Sequence, residues 1–187
     1  AASASLWYEA GAFRGSPFGA GAMCAIACYT IPNFFIEAHD VVLNRPKVAA
    51  YRAPGSPIST FATESLVDEI AQALKMDPLE LRIKNAVTEG DQAPFGPKYP
   101  VIGLRAVLDA VKKSPHWNAP VKPGQGRGVA CGYWFNAGLN SSATVTLHTD
   151  GTAAVLAGNP DIGGTRVAQA MMVAEELGIP VERVRPA

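Results

Sequence analysis

The residues whose types and spacing are best suited to bind a ligand form a glycine-containing turn late in the chain. Residues 158–166 read G-N-P-D-I-G-G-T-R and stand between a predicted strand and a predicted helix. The first N–H groups of a helix lack intrahelical acceptors and the helix dipole is positive there, so this turn can hold a phosphate or another anion. Gly163 and Gly164 would let such a ligand approach the backbone closely. Thr165 could cap the helix or bond an oxygen, and Arg166 adds a positive charge.

That turn also has an ordinary structural interpretation. Asp161 and Thr165 are helix-capping residue types and could satisfy the first N–H groups of the helix themselves. The segment matches neither the phosphate-binding pattern G-x-x-x-x-G-K-[ST] nor the dinucleotide-binding pattern G-x-G-x-x-G. Spacing alone therefore favours a capped turn, with an anion site as the alternative.

A second segment places an arginine in a loop braced by prolines. Residues 49–57 contain two prolines and a glycine, which predicts a rigid, irregular loop around Arg52. The guanidinium could lie beside an anion or an oxo group, although the pattern alone favours a surface arginine in a turn. Residues 124–127 look similar, but they precede a predicted strand instead of a helix, so we interpret them as a linker turn.

The sequence assigns no catalytic residue and no metal ligand. His39, His116 and His148 have no companion at ligand spacing, and no G-x-S-x-G motif is present. Cys24 and Cys28 would share one helix face; they could be half of a metal site, but two small buried residues are the favoured interpretation. The chain has 3 cysteines, too few for an ordinary iron–sulfur cluster, and this low, odd number fits a reducing compartment.

Composition excludes several classes of partner. The 187 residues have a formal net charge of zero, whereas nucleic acids and anionic membranes select basic patches. No apolar run reaches the roughly 18 residues of a membrane span, and the first residues do not resemble a signal peptide. Both ends look cut, which predicts an internal piece of a longer protein.

Periodicity and turn residues predict an α+β fold with mixed sheets and packed helices. The clearest element is a helix that has Ser56 as its N-cap and Pro57 as its first residue, and that ends at Met76. Glu64, with Asp68 and Gln72, is expected on its solvent face. Its expected buried stripe is Ile58, Ala62, Leu66, Ile70 and Leu74.

The other elements follow from shorter patterns. The Pro- and Gly-rich segment 115–126 predicts a connection between two domains. The expected elements are a helix at 19–28, a strand at 34–43, a helix at 77–85 capped by Asp77, a helix around 104–111, a strand at 127–135, a hairpin at 144–156, a helix at 165–177 and a strand beginning near 181.

Three stretches, in order and at matching intervals, carry a family resemblance. They are Y-T-I-P-N (29–33) with A-A-Y-R-A-P-G (49–55), F-A-T-E-S-L-V-D-E-I-A (61–71) with M-D-P-L-E-L-R-I-K-N (76–85), and D-I-G-G-T (161–165) with A-E-E-L-G-I-P (174–180). Over nearly its whole length the chain resembles the molybdopterin-binding large subunit of the xanthine dehydrogenase and aldehyde oxidase family, the molybdenum hydroxylases.

The resemblance implies parts of two molybdopterin-binding domains, at 1–114 and 127–187, joined by 115–126. It also implies an oxidoreductase that oxidises an aldehyde or N-heteroaromatic substrate with oxygen from water. The implied cofactor is molybdenum–molybdopterin in its cytosine dinucleotide form. Iron–sulfur [2Fe–2S] clusters and FAD would lie on partner subunits of a cytoplasmic, multi-subunit complex.

By position, Arg52 and Ala53 match the family loop that passes the molybdenum site. Gly163, Gly164 and Thr165 fall at the pterin-contacting G-Q-G-x-x-T segment. That segment is one residue shorter here and lacks the glutamine, so we expect backbone N–H groups to hold the pterin. The family's glutamate base lies outside this chain, and the chain alone is expected to be inactive.

Departures from the family pattern narrow the range of expected substrates. Carbon monoxide-oxidising members carry a cysteine where Ala53 stands, so a copper–molybdenum centre is not expected. Purine-oxidising members have a phenylalanine where Pro54 stands and an arginine where Ala20 stands, so xanthine is disfavoured. The alternative to an enzyme is a non-catalytic α+β scaffold or assembly module of the same fold.

Overall fold

The structure, a computed structural model, describes residues 1–135 and 140–186. The chain divides into two compact units, Ala1–Phe135 (unit 1) and Asn136–Ala187 (unit 2). The predicted α+β class is confirmed, because each unit combines helices with a small sheet, parallel in unit 1 and mixed in unit 2. None of the helices in the described ranges is both long and apolar enough to cross a membrane.

Unit 1 begins with a strand that the sequence analysis missed. β1 (Ala2–Gly11) runs parallel to β2 (Phe34–Val42), and α1 (Phe18–Cys24) lies between them in the chain. The predicted helix at 19–28 is therefore too long. After α1 the backbone forms tight turns, in which the N–H of Ala27 donates to the carbonyl of Cys24 three residues before it.

The remaining helices of unit 1 are α2 (Ser56–Leu74), α3 (Pro78–Asn85), α4 (Leu104–Lys113) and α5 (Pro115–Asn118). Asp77 is the N-cap of α3, as predicted, and accepts the N–H groups of Leu79 and Glu80. The prediction of Ser56 as the N-cap of α2 is wrong. Gly55 occupies that position, and the Ser56 hydroxyl donates to the carbonyl of Tyr133 at 2.7 Å instead.

The predicted burial of α2 is also wrong. Ile58, Leu66 and Leu74 are 62%, 55% and 59% exposed, whereas Glu64 is only 6% exposed. Glu64 and Leu66 are two positions apart and so point about 200° apart around the helix axis. Burying Glu64 therefore turns the apolar stripe outward.

Glu64 is buried because it pairs with Arg82 of α3, whose side chain is fully buried. Arg82 Nε donates to Glu64 Oε2 at 2.8 Å, and Arg82 Nη1 donates to Asp68 Oδ1 at 2.8 Å. The Tyr29 hydroxyl donates to Glu64 Oε1, and the Cys131 N–H donates to Glu64 Oε2 at 2.8 Å. This network joins α2 and α3 to two irregular segments. The apolar core beside it consists of Cys28, Tyr29, Leu79, Ile83, Ala86, Leu108 and Cys131.

The predicted strand at 127–135 is wrong: these residues form no strand in the described part of unit 1. Side chains form hydrogen bonds with the backbone of this segment instead, since Glu64 accepts the N–H of Cys131 and Ser56 donates to the carbonyl of Tyr133.

The predicted connection 115–126 contains α5 and lies within unit 1. The domain division at that segment stays a prediction.

Unit 2 follows its predicted order. β3 (Ala143–Leu147) pairs antiparallel with β4 (Ala153–Ala157), and α6 (Thr165–Leu177) follows. After a 3₁₀ turn, β5 (Val184–Pro186) pairs parallel with β4; Ala187 lies outside the described residues. The core of the unit consists of Ala153, Val155, Ala170, Ala174 and Val184.

Because the Glu64–Arg82 pair is buried, replacing Glu64 with its neutral isostere should lower the stability of unit 1. Glu64→Gln leaves the buried Arg82 guanidinium with the half-exposed Asp68 as its remaining carboxylate partner in the described residues, and we expect it to lower the free energy of unfolding by about 3 kcal/mol. Glu80→Gln makes the same chemical change in the solvent-exposed Glu80–Lys112 pair and should have a far smaller effect. Denaturant unfolding of both variants measures the difference, and equal losses would contradict the assigned importance of the buried pair.

Candidate functional site

The loop that carries Arg52 has a constrained backbone. Ala53 has φ +53° and Gly55 has φ +84°, both in the left-handed region. The N–H of Ser56 donates to the carbonyl of Ala53 at 3.1 Å and closes the turn. Arg52 is exposed and Ala53 is half-buried. An alanine in the left-handed region is disfavoured, so the surroundings must impose this conformation.

Two side-chain hydroxyls hold the end of that loop. Tyr8, on β1, donates to the carbonyl of Gly55 at 3.0 Å, and Ser56 donates to the carbonyl of Tyr133. The sequence pattern predicts neither contact. Each partner lies more than forty positions away in the chain, so local patterns carry no signal of the pairing. Recognising β1 would have shown only that Tyr8 points to one face of a sheet.

The glycine turn of unit 2 is capped by its own aspartate. Asp161 Oδ1 accepts the N–H of Gly163 at 3.0 Å and the N–H of Thr165 at 3.1 Å. Thr165 Oγ1 accepts the N–H of Ile162 at 3.4 Å. Capping by Asp161, the ordinary interpretation of the sequence, is confirmed.

The two glycines nevertheless give the turn an open backbone. Gly163 has φ +103° and Gly164 has φ +86°, directly before the first residue of α6. A Cβ built on Gly164 would have no atom within 4 Å. Within residues 140–186, the N–H of Gly164 donates to no protein acceptor. One N–H at the positive end of α6 therefore remains available to a ligand.

The predicted site residues thus fall into two separate groups. Arg52 and Ala53 are adjacent in unit 1, and Gly163, Gly164 and Thr165 are adjacent in unit 2. That these residues bind a cofactor stays a prediction.

The cysteines do not form a reactive centre. Cys24, Cys28 and Cys131 are free and buried. Burial, with smaller contributions from Cys131, Glu64 and Cys24, raises the pKa of the Cys28 thiol from its usual 9.0 to about 12. Burial also raises the pKa of Cys24 and Cys131. Protonated thiols are poor nucleophiles and poor metal ligands at neutral pH. In the described ranges, no three histidine, cysteine or carboxylate side chains are placed to hold a metal ion.

Two family models match the chain. Both describe a molybdopterin cofactor-binding domain; one matches residues 1–86 and the other residues 103–187. The xanthine dehydrogenase molybdenum-binding subunit of Escherichia coli O157:H7 is 36% identical over 157 residues, which cover 76% of this chain and 21% of that protein. The aldehyde oxidoreductase of Megalodesulfovibrio gigas is 34% identical over 149 residues, which cover 69% of this chain and 16% of that protein.

Solved structures show the same similarity. The aldehyde oxidoreductase of Desulfovibrio gigas superposes with a TM-score of 0.72 and 28% identity, over 100% of this chain and 22% of that one. The quinoline 2-oxidoreductase of Pseudomonas putida 86 shares the fold, with a TM-score of 0.73 and 17% identity over 99% of this chain and 28% of that one. The chain spans about a fifth of the length of the curated relatives it matches.

The capping geometry predicts a local effect of Asp161. Asp161→Ala should speed amide hydrogen exchange at Gly163 and Thr165 about five-fold, because it removes a cap worth about 1 kcal/mol. Asp150→Ala is the matched control in the same unit, since Asp150 accepts the N–H of Thr152 in the β3–β4 turn. The control should alter exchange at Thr152 and leave Gly163 and Thr165 unchanged. Exchange at Gly163 that is insensitive to Asp161→Ala would show that the aspartate does not hold the turn.

Proposed function

Because this chain belongs to the xanthine dehydrogenase and aldehyde oxidase family of molybdenum hydroxylases, we propose that it forms part of the molybdopterin-binding subunit of an oxidoreductase. Arg52 and Ala53 of unit 1, and Gly163, Gly164 and Thr165 of unit 2, are the residues that contact the cofactor. When bound, the molybdenum centre accepts the electrons removed from the substrate.

The observation that carries the proposal is the backbone of the glycine turn. A pterin cofactor with phosphate groups is a large anion, and it needs N–H donors that a ligand can approach without meeting side chains. Gly164 offers an N–H without a protein acceptor in the described part of unit 2, and the space where a side chain would stand is open. The residues present therefore fit a backbone contact to the cofactor.

Asp161 has a supporting role in this arrangement. Its carboxylate already accepts the N–H groups of Gly163 and Thr165, so these two donors are not offered in this conformation. The two hydrogen bonds to Asp161 fix the turn and leave the N–H of Gly164 for a ligand. The Thr165 hydroxyl can still donate a hydrogen bond, because its oxygen is used here as an acceptor. The chain thus contributes one backbone donor and one hydroxyl where the family pattern has a glutamine side chain.

The loop in unit 1 would border the reacting centre. A guanidinium at Arg52 can bind an anionic or oxo group, whereas the methyl side chain of Ala53 has no donor atom that could ligate a metal. An aldehyde or an N-heteroaromatic ring is the proposed substrate class. Relatives whose names indicate such substrates include the aldehyde oxidoreductase of Megalodesulfovibrio gigas and the nicotine 6-hydroxylase large subunit of Paenarthrobacter nicotinovorans.

The complete protein would work within a larger assembly. We propose the cytosine dinucleotide form of the cofactor, partner subunits that carry [2Fe–2S] clusters and FAD, and a cytoplasmic location. No residue of this chain is assigned to proton transfer, so the chain's own part is to bind and orient the cofactor.

A second candidate is a scaffold or assembly module that keeps the fold without the cofactor. The occupation of two turn N–H groups by Asp161 favours it, because a turn that caps itself needs no ligand. Purification of the complete protein followed by metal analysis separates the two functions. Stoichiometric molybdenum supports the enzyme, and its absence from protein made in a molybdenum-replete host supports the scaffold.

The cofactor role of the glycine turn predicts the effect of a branched side chain. Gly164→Val in the complete protein should lower the molybdenum and pterin content several-fold, because the new side chain fills the space that the cofactor uses. Gly178→Val is the matched control: Gly178 also has a positive φ, +63°, and open space around its Cβ position, but it lies at the other end of α6. The control should keep its cofactor. Equal content in both variants would remove Gly164 from the binding site.

A further inference from the structure

We propose that Tyr8 is a positioning residue that holds the loop carrying Arg52 in its binding conformation. The importance of that loop rests on the proposed function, but its anchoring by Tyr8 is a separate claim about unit 1. Tyr8 lies on β1, far from the loop in sequence, and no local motif connects the two.

The contact is buried and shared among three elements. Tyr8 is 5% exposed, and its hydroxyl donates to the carbonyl of Gly55 at 3.0 Å. The same hydroxyl lies 2.6 Å from Oγ of Ser59, a residue of α2 that is 1% exposed. A hydroxyl can donate one hydrogen bond while accepting another. Tyr8 therefore fixes the carbonyl of Gly55, and Ser59 fixes the hydroxyl of Tyr8.

Two glycines allow the neighbouring segments to lie very close to this contact. A Cβ on Gly21 would stand 2.0 Å from the Tyr8 hydroxyl, and a Cβ on Gly55 would stand 2.4 Å from the carbonyl oxygen of Pro17. Both positions exclude any side chain without displacement of their neighbours. The end of the loop thus packs against α1 and against Pro17, the residue before α1. The Tyr8 side chain extends from β1 to the loop.

The loop needs such an anchor because its backbone is strained. Ala53 stands in the left-handed region at φ +53°, which an alanine adopts only when its surroundings demand it. The turn that contains it is closed by the Ser56 N–H to the carbonyl of Ala53. Release of the Gly55 carbonyl would let the turn relax toward ordinary conformations. The backbone at Arg52, one residue before the strained alanine, would then move with the turn.

Tyr99 provides a matched control for the loss of one hydroxyl. It is also 5% exposed, and its hydroxyl donates to the carbonyl of Ala27 at 2.7 Å. Tyr8→Phe and Tyr99→Phe each remove a buried hydrogen bond to a backbone carbonyl of unit 1, and Tyr8→Phe also removes the bond to Ser59. Only the first lies at the loop. A purely structural role predicts similar consequences for both variants.

The test uses the complete protein with its cofactor and measures trypsin cleavage of the Arg52–Ala53 bond by mass spectrometry. Tyr8→Phe should raise the cleavage rate at least about five-fold, the factor expected from the loss of one net hydrogen bond. Tyr99→Phe should leave that rate unchanged. Cleavage at Lys75–Met76, at the end of α2, is the internal reference and should change in neither variant. Amide exchange over residues 52–56 gives the same comparison without a protease.

Each result decides one claim. Equal cleavage at Arg52 in the two variants overturns the positioning role of Tyr8. Selective cleavage with loss of molybdenum supports both the positioning role and the proposed function of the loop. Selective cleavage with full molybdenum content supports the positioning role and contradicts the cofactor role of Arg52. If Tyr8→Phe does not fold, Ser59→Ala removes the group that orients the Tyr8 hydroxyl and should raise cleavage at Arg52 alone.

Discussion

The conformation of unit 1 depends on one buried charge, the guanidinium of Arg82. Removing such a charge from water costs several kcal/mol, so it is stable only where hydrogen-bonding partners surround it. Glu64 supplies the buried carboxylate, and the same carboxylate accepts the N–H of Cys131. The pair therefore fixes the rotation of α2, which turns Leu66 and its stripe outward, and it also places the segment that contains Tyr133. Because Ser56 donates to the carbonyl of Tyr133, the start of α2 and the end of the Arg52 loop are set by the same arrangement.

In both candidate binding segments, a side chain holds left-handed backbone in place by hydrogen bonds. Each contains left-handed backbone, at Ala53 and Gly55 in one and at Gly163 and Gly164 in the other. Glycine adopts such conformations readily, whereas Ala53 keeps its positive φ because neighbouring groups impose it. In each segment a nearby side chain makes the imposing hydrogen bonds: Tyr8 to the Gly55 carbonyl in unit 1, and Asp161 to two N–H groups in unit 2. Strained backbone such as that at Ala53 is common where a protein must present a group to a ligand before the ligand arrives.

Elements with strong local signals could be predicted from the sequence. The helix capped by Asp77, the β3–β4 hairpin and α6 with its terminal glycine all follow from turn and capping residues that act within a few positions. The failures involve partners distant in sequence. β1 pairs with a strand about thirty positions later, and Glu64 is buried only because Arg82 stands eighteen positions away. The capped turn was one of two interpretations of residues 158–166, and choosing it required the position of the Asp161 carboxylate. The family resemblance identified the cofactor class, which no pattern of spacing in this chain specifies.

We propose that the backbone N–H of Gly164 holds the cofactor. A crystal structure of the complete, cofactor-loaded protein tests it most directly, through the distance from the Gly164 nitrogen to the nearest cofactor oxygen. We expect a hydrogen bond of about 3 Å, with the Asp161 carboxylate still bound to the N–H groups of Gly163 and Thr165. A cofactor bound elsewhere, with the Gly164 N–H facing solvent, would contradict it.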